Sequence, residues 1–337
     1  MKKVSIKTIA DELGVVKSTV SFILNGKARE KRISKELEER VLKYVKESGY
    51  KPNQLAQNLS TGKTNLIGLI VEDICIPFFS SVARFIEDKA FQHGYKIVYA
   101  SDNNDVKKGK RLLELLADRH VDGYIIAPTS GTNNEINSLL KRKIPVVLFN
   151  GSLQEVITDI IYIDNVEGGY IATKHLLDNG YKHIALVTIK SKQLEMDNRK
   201  IGYEKALKES ESKPIICALP YGTEPEKAVG LIAKFLTKHK EIDAMFVTTS
   251  FFTISAIEAV LSTGKKLSEE IGFVTFDDQE FFKIYKPSIT AVAQPIEEMS
   301  TLVIDTLLKK LKTEDNALQK CILSPKLIVR DSSSGRN

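Results

Sequence analysis

Polar and aromatic side chains collect where the predicted strands of this chain end, or where the next helix begins. Aromatic rings stack on the apolar faces of sugars, while carboxylates and guanidinium groups form paired hydrogen bonds to adjacent hydroxyls. Residues of these types are Asp73, Phe78, Phe79, Ser101, Asn150, Arg199 and Asp277. Together they predict a binding site for a small, polyhydroxylated molecule.

Four of these residues also have a purely structural explanation. Phe78 and Phe79 suit the apolar start of a core helix, Asp73 suits a helix N-cap, and Arg199 suits a surface ion pair. Residue type and position alone leave these alternatives open.

Catalytic and metal-binding patterns are missing from the sequence. Cys75, Cys217 and Cys321 are far apart, and the five histidines lack ligand spacing, so no metal or disulfide framework is predicted. The segment STGKT at 60–64 ends like a phosphate-binding loop, but Gln57 stands where its first glycine belongs. With no nucleophile–base pair visible, we expect a protein that is not an enzyme and needs no cofactor.

Short apolar runs alternate with helical stretches beyond residue 62. Strands are predicted at 66–72, 96–100, 123–127, 146–150, 184–188, 244–248 and 272–276, with helices such as 78–93, 105–119 and 167–179 between them. This alternation predicts an α/β fold of parallel sheets flanked by helices. The run LLADRHVDGYIIAPTS at 115–130 resembles FLTKHKEIDAMFVTTS at 235–250, which indicates two similar lobes. In such sheets ligands bind beyond the carboxyl ends of the strands, so we expect the site between the lobes.

The first 48 residues have the spacing of a helix-turn-helix. Ser5 can cap a helix over 6–13, Gly14 can end it, and a second apolar stripe runs through Val20, Ile23 and Leu24. A third helix is predicted from about residue 34 to 48.

Small, basic and aromatic side chains of the second helix remain available to bind a partner. Lys17, Ser18, Ser21 and Phe22 cannot all face the core, and such residues can bind base edges in a major groove. Residues 1–62 hold 13 Lys+Arg against 7 Asp+Glu, so the formal net charge of +6 lies entirely in this segment. A plain three-helix bundle with a solvated face is the alternative; the charge segregation favours DNA binding.

The segment GYKPNQLAQNLSTG at 49–62 contains one short apolar stripe. A helix of seven or eight residues is not stable alone in water, so we expect it to need DNA or a second copy of the chain. Leu59 could then enter a minor-groove base step as a wedge.

Combined motifs make the chain resemble the lactose-repressor-type (LacI/GalR) family. They are VSIKTIADELGVVKSTVSFILN at 4–25, GYKPNQLAQNL at 49–59, IGLIVEDICIPFF at 67–79, VDGYIIAP at 121–128, RKIGY at 199–203, GFVTFDD at 272–278 and AQPIEEM at 293–299. The resemblance implies an effector-controlled repressor with a periplasmic-binding-protein-like body crossed three times between its lobes. It implies a DNA-binding domain at 1–48, a hinge helix and linker at 49–62, lobe 1 at 63–164 and 293–325, lobe 2 at 165–292, and a C-terminal strand and tail at 326–337.

The resemblance also implies a role for each DNA-binding position. By the family pattern, bases are read by Lys17, Ser18 and Phe22, phosphates are contacted by Thr19, Ser21, Asn25, Tyr50 and Asn53, and the minor groove receives Ala56 and Leu59. In the cleft, Arg199 and Asp277 would carry effector recognition. Val16 departs from the pattern, since the family usually has a small polar cap there.

A second departure lies in the cleft. The family usually has Asn-Asp or Thr-Asp after the strand at 244–248, whereas this chain has Thr249-Ser250-Phe251-Phe252. A carboxylate is thereby lost and aromatic surface is gained, which adds Phe251 to the predicted effector site. Either the effector is not a typical sugar, or Asp277 and Arg199 carry its recognition. Without that carboxylate a sugar phosphate or another anion is easier to accommodate, and the expected effector is a sugar or a sugar phosphate.

The partners expected from these observations are a pseudo-palindromic DNA operator, a small effector and a second copy of the chain. No signal peptide or membrane span is predicted, so the expected location is the cytoplasm. Three rival interpretations stay open: a sugar receptor without gene control, a sugar-processing enzyme, and a regulator that responds to a non-sugar metabolite or a protein.

Overall fold

The N-terminal unit is a three-helix bundle. The computed structural model describes residues 4–50, 63–191, 193–313 and 317–335, and the chain divides into two compact units after Thr64. Ser5 caps the first helix by accepting the Thr8 N–H, and Gly14 ends it with a left-handed φ of 66°. The helices are α1 (Ile6–Leu13), α2 (Lys17–Leu24) and α3 (Lys35–Glu47), and they enclose a core of Ile9, Ala10, Val20, Ile23, Ala28 and Val41.

The second unit contains two lobes, each built on a six-stranded sheet. Lobe 1 has the strand order β2-β1-β3-β4-β5-β11, and all of its pairings are parallel. One face is covered by α4 and α11, the other by α5 and α6. The elements are β1 (Leu66–Val71), α4 (Pro77–Gln92), β2 (Lys96–Ser101), α5 (Val106–Asp118), β3 (Gly123–Ile126), α6 (Asn133–Lys141), β4 (Val146–Phe149), β5 (Asp159–Ile163), α11 (Ile296–Lys312) and β11 (Lys320–Leu323).

Lobe 2 repeats this arrangement with the order β7-β6-β8-β9-β10-β12. Its pairings are parallel except for the last, where β12 runs antiparallel to β10. One face is covered by α7 and α8, the other by α9 and α10. The elements are α7 (Asn165–Asp178), β6 (Ile184–Lys190), α8 (Leu194–Glu209), β7 (Ile215–Pro220), α9 (Pro225–Lys238), β8 (Ala244–Val247), α10 (Thr253–Ser262), β9 (Gly272–Phe276), β10 (Thr290–Ala293) and β12 (Lys326–Ile328).

The chain passes between the lobes three times: after β5, after β10 and after β11. The two segments that resemble each other in sequence carry β3 and β8, which occupy the same place in their sheets. The predicted α/β class with two similar lobes is therefore confirmed. The strands β5, β7, β10 and β11 were not predicted from the sequence. Within the described ranges, no helix has the length and apolar character needed to cross a bilayer.

Candidate functional site

The first turn of α2 is open to solvent. Lys17 and Ser18 are exposed, whereas Val20 and Ile23 point into the helical core. Val16 occupies the N-cap position, is 64% exposed and makes no side-chain hydrogen bond to the helix. The Val16 side chain therefore caps none of the backbone N–H groups at the beginning of α2. Such N–H groups next to a lysine favour the binding of a phosphate.

The remaining predicted DNA-binding residues of α2 are partly buried. The ammonium group of Lys31 lies 5.5 Å from the ring centroid of Phe22, and the Asn25 side-chain amide donates to the Ser21 hydroxyl at 3.4 Å. Thr19 is half-buried, and Tyr50 packs against the core of the bundle. The predicted contacts of Asn53, Ala56 and Leu59 lie outside the described residues.

A cavity of about 590 Å³ opens between the two lobes of the second unit. That volume falls in the range of small-molecule sites. Lobe 1 contributes Glu72, Asp73, Ile76, Phe78, Phe79, Asn103 and Asn150. From lobe 2 and the crossover come Ile189, Gln193, Glu195, Met196, Arg199, Tyr221, Gly222, Thr223, Glu224, Pro225, Thr249, Phe251, Asp277 and Gln294. The carboxyl ends of strands from both sheets thus face one another across a single cleft.

Seven of the eight predicted effector residues line this cavity. They are Asp73, Phe78, Phe79, Asn150, Arg199, Phe251 and Asp277. The eighth, Ser101, is not among the lining residues. Its hydroxyl accepts the backbone N–H of Ile74 at 3.0 Å, so it holds the loop that follows β1 instead of facing the cleft.

Arg199 is buried and tightly held. Its Nε donates to Asn165 Oδ1 at 2.8 Å, its Nη1 donates to the carbonyl of Thr248 at 2.6 Å, and its guanidinium carbon lies 3.5 Å from the centroid of the Phe276 ring. Burial lowers the pKa of Arg199, and the negative charges of Asp277 and Glu195 act in the opposite direction. The side chain therefore presents a fixed cationic edge to the cleft rather than a surface ion pair.

The position of Arg199 depends on two glycines. A Cβ at Gly169 of α7 would lie 3.0 Å from Arg199 Cα and closer still to its carbonyl oxygen, while a Cβ at Gly202 of α8 would lie 2.6 Å from Tyr170 N. The two helices can cross at this distance only because neither residue has a side chain. This close crossing fixes the turn of α8 from which Arg199 extends.

Asp277 follows β9 and accepts two hydrogen bonds. Ser250 Oγ donates to Oδ2 at 3.2 Å, and Gln294 Nε2 donates to Oδ1. Gln294 Oε1 is buried without a hydrogen-bond partner among the described residues, although Gln294 lines the cavity. A donor group on a ligand would satisfy this oxygen.

Glu72 connects the lobes. The Gln193 amide of lobe 2 donates to Glu72 Oε2 of lobe 1 at 2.7 Å. Burial raises the pKa of Glu72, against the lowering effect of hydrogen bonds from Tyr221 and Gln193. Glu72, Gln193 and Tyr221 were not predicted as effector residues, although Glu72 directly precedes Asp73 at the end of β1.

The departure at 249–252 forms a short helical turn. Phe252 is buried, whereas Phe251 is 45% exposed and lines the cleft, with 5.0 Å between their ring centroids. The aromatic surface that the sequence adds at this position therefore faces the cavity, and Ser250 supplies a hydroxyl to Asp277.

Two family models match this chain. One describes bacterial regulatory proteins of the lacI family and matches residues 5–53; the other describes a periplasmic binding protein-like domain and matches residues 173–333. Together they cover more than half of the sequence.

Two of three similar proteins match this chain over nearly its whole length. The HTH-type transcriptional repressor PurR of Histophilus somni is 28% identical over 330 residues, 97% of this chain and 98% of that protein. A LacI family transcriptional regulator from Enterococcus faecium with bound ribose is 25% identical, with a TM-score of 0.73 over 81% of this chain and all of that one. The lac repressor dimer bound to operator is 22% identical, with a TM-score of 0.86 over 98% of this chain and 99% of that one, and it shares the fold. The helix-turn-helix unit, the two-lobed body and the matching motifs lead to one conclusion: the chain belongs to the LacI/GalR family of DNA-binding transcriptional regulators.

Proposed function

We propose that this chain is a homodimeric repressor whose affinity for an operator is set by a small hydroxylated effector bound between its lobes. One observation carries the proposal. The same chain combines a recognition helix with an exposed Lys17 and Ser18 and a separate body with a 590 Å³ cleft lined by charged, amide and aromatic groups.

DNA recognition is assigned to the N-terminal unit. Lys17, Ser18 and Phe22 read base edges, and Thr19, Ser21, Asn25 and Tyr50 contact phosphates, with the uncapped start of α2 as a further phosphate site. The hinge segment supplies Asn53 to the backbone and Ala56 and Leu59 to the minor groove. The segregated positive charge supports this assignment, because phosphate neutralisation provides most of the sequence-independent affinity.

The cleft is assigned to a sugar-like effector. Phe78, Phe79 and Phe251 offer ring faces, while Arg199 and Asp277 offer fixed hydrogen-bonding groups. A relative of known structure holds ribose, which supports the same ligand class here. We infer binding without turnover, because the family model matched by the N-terminal unit and the PurR relative are those of transcriptional regulators.

The dimer is supported by exposed apolar side chains on lobe 2. On α10, Ile254 is 62% exposed, and Leu261, seven residues later on the same side of the helix, is 51% exposed. Outside this helix, Ile284 is 79% exposed. A stripe of this kind is typical of an interface between copies. Two-fold symmetry would then require a pseudo-palindromic operator.

Three crossing segments let the lobes close on a ligand by a hinge motion. Closure in one copy shifts the first lobes of the pair and so moves the hinge segments that lead to DNA. The coupling is reciprocal, since effector and operator must alter each other's affinity by the same factor. A protein that acts on chromosomal DNA in this way works in the cytoplasm, and the domain limits given by the family resemblance are part of the proposal.

The decisive test uses full-length protein and fluorescently labelled duplexes from the region upstream of its own gene. Anisotropy titrations should give an affinity that falls steeply with salt, and a member of a sugar panel should change the affinity for the preferred duplex. Absence of salt-dependent binding to every duplex would refute DNA recognition. A panel that leaves operator affinity unchanged would refute sugar control and favour a non-sugar metabolite or a protein partner.

A further inference from the structure

A small annex extends the cleft on the side of Glu72 and Glu195. It has a volume of about 30 Å³, close to the space that one water molecule takes in the liquid. Five residues line both spaces, so the annex is continuous with the cleft: Glu72, Phe79, Asn150, Gln193 and Glu195. The rest of its wall is mainly polar loop from lobe 1, including Asn104, Thr129, Ser130, Gly151 and Ser152.

The two carboxylates reach this annex from opposite lobes. Glu72 ends the first strand of lobe 1, and Glu195 lies in the first turn of α8 in lobe 2. A Cβ at Gly151 would collide with Glu195 Oε1, so the absence of a side chain there makes room for the carboxylate against lobe 1. The annex therefore places two acidic groups around a space large enough for one small polar group.

The described lining of the main cleft is also acidic. It includes five carboxylates and one cationic side chain, Arg199. Two nitrogens of that guanidinium are already bonded to Asn165 and Thr248, and its face is stacked on Phe276. A phosphate in the cleft could pair only with Arg199, whose guanidinium is already partly engaged, and would be repelled by the more numerous carboxylates.

The two carboxylates are incompletely compensated. Burial raises the pKa of both Glu72 and Glu195, and the negative charge of Glu72 raises the pKa of Glu195 further. Arg199 acts against the shift of Glu195, and hydrogen bonds from Tyr221 and Gln193 act against that of Glu72. A buried carboxylate is stabilised when a cation that donates hydrogen bonds reaches it. An ammonium group matches the annex in size and charge, with three donors for the surrounding oxygens.

We propose that the effector carries an ammonium group, which binds in the annex between Glu72 and Glu195 while the hydroxylated remainder lies against Phe78 and Phe79. The inference rests on the proposed function, in which the cleft is the effector site. It narrows the effector from sugars and sugar phosphates to amine-bearing polyols such as amino sugars.

The test uses calorimetry on the full-length protein with matched ligands. For the gluco, galacto and manno series, the probes are the aldose, its 2-amino derivative and its 6-phosphate. In at least one series the amine should bind about tenfold or more tightly than the aldose, as expected for a hydrogen-bonded charge pair, and the phosphate should bind more weakly than either.

Two isosteric variants then locate the preference. Glu195→Gln should lower amine affinity more than aldose affinity, so that the ratio of the two falls to about one, and Glu72→Gln should act in the same direction. Glu204→Gln is the matched control, because it makes the same change on the same helix in an exposed pair with Lys200. It should leave the amine preference intact, and circular dichroism melts establish that each variant is folded.

Three results would overturn the inference. The aldose or the phosphate could bind as tightly as its amine in every series, the amine preference could survive in Glu195→Gln, or no amine in the panel could bind with a Kd below about 1 mM. The first two leave a ligand in the cleft and its effect on operator affinity measurable, so they refute the ammonium subsite without refuting the repressor. Failure of the repressor proposal shows separately, as loss of salt-dependent operator binding in the anisotropy titrations.

Discussion

The crossing of α7 and α8 predicts that Gly202→Ala destabilises the second unit although alanine favours helices. The new Cβ would lie 2.6 Å from Tyr170 N and closer still to the carbonyl oxygen of Val166, whereas ordinary contact begins at 3.4 Å, so the helices must separate by more than roughly 0.8 Å there. Overpacking of this kind costs about 1–3 kcal/mol, or more where backbone must move, and exceeds the gain of about 1 kcal/mol in helix propensity.

The control for this variant is Gly230→Ala in α9. Gly230 is exposed, and its added Cβ would have no heavy atom within 4 Å, so the same substitution should stabilise by about 0.5–1 kcal/mol. In melts followed by far-ultraviolet circular dichroism, each kcal/mol corresponds to about 2–4 °C for a unit of this size. Gly202→Ala should therefore melt several degrees lower than the wild type, and Gly230→Ala slightly higher.

A double-mutant cycle sharpens the test. Gly169 lies opposite Gly202, so Gly169→Ala should also destabilise, and the helices need to separate only once for both changes. The loss in the double variant should be smaller than the sum of the single losses. If Gly202→Ala melted at or above Gly230→Ala, the close approach would not be what positions Arg199.

Three further predictions concern DNA reading, the buried arginine and pH. Lys17→Ala should cost about 1–3 kcal/mol on the preferred operator and relax one base preference, whereas Lys43→Ala on α3 should not; an equal small loss on every duplex would exclude base reading. Arg199→Met should lower the unfolding free energy by about 2–6 kcal/mol, because it leaves Asn165 Oδ1 and the Thr248 carbonyl unpaired at about 1–3 kcal/mol each, and an unchanged melting temperature would contradict these two hydrogen bonds. Because the pKa of Glu72 is raised in the folded state, the folded protein retains a proton that the unfolded chain loses above about pH 4.5, and stability falls as the pH rises through that range. Glu72→Gln cannot ionise, so its stability relative to the wild type should increase from pH 4.5 to pH 8 in urea titrations; a constant difference would contradict the raised pKa.

Sequence patterns located those effector residues that follow long apolar strands. Asp73 and Asp277 come after β1 and β9, which are buried and therefore read as continuous apolar runs. Tyr221 and Gln294 follow β7 and β10 in the same way, but β7 alternates and contains a proline, and β10 has only four residues. Because neither strand was predicted, Tyr221 and Gln294 could not be identified as residues that follow the end of a strand.

The start of α8 was harder to find for a different reason. Sequence patterns did not mark the beginning of this helix, which the structure places at Leu194, so Glu195 and Met196 in its first turn were missed. This helix packs against α7 through glycine and has no clear apolar stripe. Polar residues that line the cleft occupy positions where apolar residues would otherwise indicate a buried face. Packing of two backbones leaves little signal in hydropathy.

The contacts around Glu72 bear on how an effector can act. Gln193 already joins the lobes by donating a hydrogen bond to Glu72, so contact between the lobes does not depend on an effector alone. A ligand shifts an equilibrium only by the difference between its affinities for the two states. An effector that contacted only one lobe would bind without switching the repressor. One that places a cation between Glu72 and Glu195 interacts with both lobes at once, and this interaction exists only when they are close. Glu72 and Glu195, which would give the site its preference for a cation, would therefore also couple effector binding to closure of the lobes.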